Sequence, residues 1–65
     1  MKVIEWVDRM KAEGIADFFC VYANIGHNSD EMMACEPCEA SDCEVIDTLF
    51  IEGYCGITAV VTAVA

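Results

Sequence analysis

Positive charge is the first thing this chain lacks. Its 65 residues contain three cationic side chains, Lys2, Arg9 and Lys11, and none after residue 11, against twelve carboxylates, for a formal net charge of −9. A chain of that sign repels phosphate, which argues against direct binding of DNA, RNA or an anionic bilayer. Histidine is represented only by His27, beside Gly26 and Asn28, with no oriented partner in sequence to make it a general base. The four glycines stand apart at 14, 26, 53 and 56, so no glycine-rich loop cradles a phosphate. Carboxylates are plentiful, but so short a chain hardly encloses the cleft a glycosidase needs. An enzyme is not expected. Long apolar runs are missing too: the longest, Ile57 to Ala65, falls far short of the ~20 residues that span a bilayer. Glu5, Asp8 and Arg9 interrupt the stretch where an export signal would be continuously apolar. The expectation is a soluble, intracellular protein.

What is present is a high apolar fraction, 57 %, which is too much for a disordered acidic tail. A chain of this length forms one small domain, residues 1–65, and buries only about 60 % of its unfolded surface. Val3, Ile4, Trp6, Val7 and Met10 recur with a helical period among charged residues, and Gly14 supplies a stop, which predicts a helix over 3–13. Trp6 and Met10 are expected in the core. Residues 15–25 are aromatic and branched, nearly continuously apolar from Phe18 to Ala23, and predict a strand buried on much of both faces. Gly26, Asn28, Ser29, Pro37 and Ser41 mark 26–43 as loop, with Asn28 and Glu31 able to cap a brief helix through Ala34 that Pro37 ends. Residues 44–52 carry both a capping-box pattern, Ser41 with Glu44, and strand composition; strand is favoured, with a hairpin near Glu52-Gly53. Ile57 to Val64 reads as a further strand. The order predicts an α+β fold, an N-terminal helix packed on a small, mainly antiparallel sheet.

Charge is distributed unevenly. The first eleven residues carry +1 and residues 12–65 carry −10, with eight of those ten carboxylates between positions 30 and 52. Glu36, Glu39 and Asp42 are spaced by three, as are Glu44 and Asp47. Like charges so placed repel on a helix, and a surface selected only for solubility intersperses lysines. The pattern points to a presented anionic surface that docks into a cationic groove, with Asp30, Glu31, Glu36, Glu39, Asp42, Glu44 and Asp47 as the partner-binding residues. In size and in this charge layout the chain resembles small phage-encoded inhibitors of bacterial defence, the anti-CRISPR proteins among them, several of which are acidic mimics of DNA. The resemblance rests on no motif. It implies a cytoplasmic protein of a bacterial host cell whose partner is a basic nucleic-acid-binding protein or CRISPR effector subunit. Occupying the surface that reads target DNA or its adjacent motif would be the inhibitory act.

Five cysteines, at 20, 35, 38, 43 and 55, form the other notable feature. Cys20 and Cys55 lie in apolar runs and are expected to be small buried hydrophobes. His27, Cys35, Cys38 and Cys43 read H-x7-C-x2-C-x4-C, a donor set suited to zinc, which makes a zinc-stabilised structural or adaptor domain the alternative reading. Only one C-x2-C knuckle is present, where zinc fingers pair two. No cofactor is expected on the main reading. A redox role for Cys35-Glu36-Pro37-Cys38 is disfavoured because Glu36 and Glu39 oppose thiolate formation. The protein is expected to be a monomer, or a homodimer paired edge to edge through its C-terminal strand.

Overall fold

A computed structural model describes residues 1–26 and 30–65. Helix α1 spans Val3–Glu13 and is followed by β1 (Phe18–Ala23), β2 (Met33–Cys35), β3 (Glu44–Gly53) and β4 (Gly56–Val64). The strands form one sheet in the order β2-β1-β4-β3, with β1 parallel to β4 and the other two pairings antiparallel. The α+β class and the mostly antiparallel sheet match the sequence expectation. No helix among the described residues is long and apolar enough to cross a membrane.

Both ends of α1 are satisfied by identifiable groups. At its start, Glu5 Oε1 accepts the backbone N–H of Lys2 at 3.1 Å. The first helical N–H groups, which lack partners within a helix, donate outward: Val3 to the carbonyl of Cys43 at 2.9 Å and Ile4 to that of Ser41 at 3.1 Å. At its end Gly14 adopts φ 67°, ψ 26°, the left-handed conformation that glycine takes without penalty. The N–H groups of Gly14 and Ile15 return to the carbonyls of Lys11 and Met10, a Schellman closure.

The helix buries Val3, Val7 and Met10. Beneath it lie Val21 and Ala23 of β1 and Ala59, Val61 and Ala63 of β4, all fully buried. Ala40 and Cys43, from the turns that link β2 to β3, complete the same cluster. Trp6 is half-buried at its edge, 6.2 Å from Phe19 in an edge-to-face arrangement and 6.0 Å from Phe50. The core is thus built of small residues, and its largest fully buried side chains are valines.

Three local expectations require correction. Strand β1 is not buried on both faces: Phe18 and Tyr22 are 50 % and 41 % exposed, because α1 covers one side of the sheet only. Residues 33–35 form a strand rather than the tail of a short helix, since pairing with Val21–Ala23 satisfies the outer edge of β1. The strand at 44–52 is present, but the hairpin turns at Tyr54-Cys55, between the paired Gly53 and Gly56. Cys55 is therefore exposed, not buried.

The hairpin is anchored from outside. Asp17 Oδ2 accepts the N–H of Ile57 at 2.9 Å, and the N–H of Asp17 donates to the carbonyl of Ile57 at 2.8 Å. Gly56 lies beneath that carboxylate with φ 133°, and a Cβ there would fall onto the Asp17 side chain.

A candidate acidic interface beside the helix

The chain between β2 and β3 positions most of the sequence-predicted carboxylates. It leaves the sheet at Glu36, where Pro37 suits the second position of a turn. The N–H of Glu39 donates to the carbonyl of Glu36 at 3.0 Å, and Glu39 Oε1 in turn accepts the N–H of Glu36 at 2.9 Å. Here Glu36 and Pro37 border a shallow depression shared with Lys11, Asp17 and Phe19, at the C-terminal end of α1. The segment then runs to the other end of the helix. Ala40 and Cys43 plug into the core, Ser41 and Cys43 receive the first N–H groups of α1, and Asp42 meets Lys2 at 3.7 Å. Glu44 closes the run, its carboxylate 3.0 Å from the N-terminal ammonium.

Glu36, Glu39 and Asp42 thus lie, exposed, on one segment that runs antiparallel to α1, and Glu44 opens β3 beyond it on the sheet face away from the helix.

The remaining predicted carboxylates are elsewhere. Asp30 and Glu31 occupy the connection from β1 to β2 and are exposed. Asp47 pairs with Thr62 across β3 and β4, on the sheet face opposite the helix, and its Oδ1 accepts the N–H of Thr48. The seven residues therefore do not form a single patch.

The three cationic side chains are all engaged locally. Lys2 contacts Asp42, Arg9 lies 3.6 Å from Glu13 one helical turn away, and the Lys11 ammonium stands 5.7 Å from the centre of the Phe19 ring. Such exposed pairs contribute about 0–1 kcal/mol each and leave the long-range field negative. Among the described residues, Asp8, Glu31, Glu36 and Glu52 have neither an ion-pair partner nor a hydrogen bond to the carboxylate. Glu52 was not in the sequence-derived set; it lies next to the end of β3, away from the 30–47 cluster, and only the fold identifies it as uncompensated.

Cys35 lies near enough to Cys43 and Cys20 for their charges to act on it, while Cys38 and Cys55 are exposed. Cys43 is buried in the core, Cys35 is half-buried and Cys38 is exposed on the turn, all as free thiols. Among the described residues no three histidine, cysteine or acidic side chains are placed to hold a metal ion, and His27 lies outside the described residues. The proposed zinc set of His27, Cys35, Cys38 and Cys43 thus gains no support. Burial, and then the carboxylate of Glu39, push the Cys35 thiol above its ordinary pKa. Neutral at physiological pH, it is a poor nucleophile.

The uncovered face of the sheet went unrecognised in the sequence. It presents Phe18 and Tyr22 from β1, Leu49 and Ile51 from β3, and Val60 and Val64 from β4, by the register of the paired strands. Compared with protein-family models, with curated proteins and with solved structures, the chain shows no significant match.

Proposed function

We propose that the protein is an acidic protein-binding inhibitor whose carboxylate track occupies a cationic surface that otherwise holds a nucleic-acid backbone. The partner is a basic nucleic-acid-binding protein of a bacterial host, such as a subunit of a CRISPR effector. One observation carries this reading: Glu36, Glu39 and Asp42 are exposed on the single segment that crosses beside α1 from its C-terminal to its N-terminal end, with Lys2 the one cation facing them in an ion pair.

Physical chemistry supports the assignment at two levels. The track is fixed by the fold, because Ala40 and Cys43 anchor the segment in the core while its carboxylates face solvent. Anchoring lowers the ordering cost of binding. In addition, the field of a −9 chain steers a cationic partner from a distance, and that steering weakens with salt as it does for DNA.

The experiment is capture of binding proteins from a bacterial lysate on the immobilised protein, followed by separate elution with stepped salt and with duplex DNA. The proposal expects a nucleic-acid-binding protein that both eluants release. Partners retained through salt and indifferent to DNA, or no retained partner, would refute it.

A further inference from the structure

Strand β3 ends the sheet, and among the described residues its outer edge is paired only at its start. There the chain entering α1 lies alongside it in extended form, with Lys2 opposite Glu44 in an antiparallel bridge. Val45 donates its N–H to the carbonyl of Met1 at 2.9 Å, and the carbonyl of Cys43 accepts the N–H of Val3 at 2.9 Å. Charge follows the backbone: the Lys2 ammonium meets Asp42 at 3.7 Å, and the Met1 ammonium meets Glu44 at 3.0 Å. An extended, cationic piece of chain is therefore seated on the first part of this edge.

Beyond Val45 the edge is open. The bulge between Val45 and Asp47 shifts the alternation, so that Thr48, Phe50 and Glu52 turn their backbone groups outward. Thr48 shows that direction, because its N–H is taken up by Asp47 Oδ1 at 2.9 Å rather than by a strand. Leu49, Phe50 and Ile51 flank the open part with exposed apolar side chains, between the carboxylates of Asp47 and Glu52. No lysine or arginine stands on β3 to answer those two charges.

We propose that the open edge of β3 binds an extended basic segment of a partner protein by strand addition, continuing the antiparallel ladder that Met1 and Lys2 begin. A row of outward N–H and C=O groups is satisfied by another extended backbone. Cations opposite Asp47 and Glu52, with apolar side chains opposite the three residues between them, complete the match. Asp47 then exchanges its bond to Thr48 for a cation of the incoming strand. A second copy is not the occupant: its β3, and β2 at the other edge of the sheet, bring no cation, and each molecule adds a charge of −9. Strand β4, where the sequence suggested an edge-to-edge dimer, is internal and paired on both sides. The proposal shares with the proposed function a basic partner, but uses a surface other than the 36–42 segment, so either can fail alone.

The test is titration of the ¹⁵N-labelled full chain with the peptide acetyl-Lys-Lys-Val-Ile-Val-Thr-Lys-amide at moderate salt. The amide resonances of Thr48, Phe50 and Glu52 should move together, and their hydrogen exchange should slow. Two further peptides carry N-methyl groups on alternate backbone nitrogens, in opposite phase, with charge and side chains unchanged. The phase whose methyls face β3 should bind about tenfold or more weakly than the other, having lost its donors to the strand. Equal binding by the two phases, shifts confined to residues 36–42, or no binding of the parent peptide would each overturn the proposal. The capture experiment on the acidic segment is decided separately from all three results.

Discussion

Salt should stabilise this protein, by an amount that can be worked from its size and charge. The radius of gyration is 11.4 Å and the net charge −9. Treated as a uniformly charged sphere, the folded chain carries an unscreened self-energy of about 11 kcal/mol, and the expanded unfolded chain about half of that. At about 0.01 M salt the screening length is ~30 Å, comparable with the longest dimension of the molecule, so every carboxylate senses every other. Raising salt to about 0.15 M shortens it to ~8 Å and reduces the penalty on folding by about 2 kcal/mol. A domain of this size has only about 3–10 kcal/mol of total stability, so the effect is a large fraction of it. Urea unfolding followed by far-ultraviolet circular dichroism, at fixed protein concentration in 0.01 and 0.15 M salt, measures it. The midpoint should move up with salt while the slope stays constant. A midpoint that does not move, or falls, would show the carboxylates to be neutralised by local pairs, and would remove the basis for a long-range anionic field.

Two further predictions concern particular residues. Gly56→Ala should destabilise by about 2 kcal/mol or more, read as a lower urea midpoint, because it combines a positive φ with a Cβ driven onto Asp17. An unchanged midpoint would mean that the carboxylate is not the anchor of the hairpin. The raised pKa of Cys35 sets the sign of an alkaline effect. In the unfolded chain this thiol ionises from about pH 8.5, while the folded protein holds the proton to higher pH. The unfolded state therefore binds fewer protons in that window, and stability falls as pH rises through it. Stability followed from pH 7 to 10 should show that loss, and Cys35→Ala should reduce it; an equal loss in both proteins would assign it to other groups.

How much of this was legible in the sequence depended on whether a signal was local. Helix α1 was, because its apolar stripe and Gly14 both lie within eleven residues of one another, and its boundaries match. Strand β4 was, through its branched residues. The choice of strand for 44–52 could not be forced locally, since Ser41 and Glu44 also fit a helix start; pairing with β4 decides it. Met33–Cys35 was missed for the same reason in reverse: a three-residue strand is specified by the open edge of β1 and not by its own composition. The run Phe18–Ala23 implied two covered faces, but one chain supplies a single helix, so Phe18 and Tyr22 remain open. Among the carboxylates, spacing identified Glu36, Glu39 and Asp42 as a group. Their alignment beside α1, and the separation of Asp47 onto the other face, depend on the crossing of the 36–43 segment, which composition does not encode.

The claim that matters most is that the acidic track binds where nucleic acid binds. The direct measurement is the equilibrium affinity of the captured partner for the wild type and for a Glu36→Lys, Asp42→Lys variant, across salt and with duplex DNA as competitor. Those two positions are chosen because the turn at 36–39 uses the Glu39 side chain, and Asp42 holds only a long, exposed contact to Lys2. The account predicts that affinity falls steeply with salt, that DNA and the wild type exclude one another, and that the variant keeps its fold but loses most of its binding. Equal binding by the variant, or a partner that holds DNA and this protein together, would contradict it.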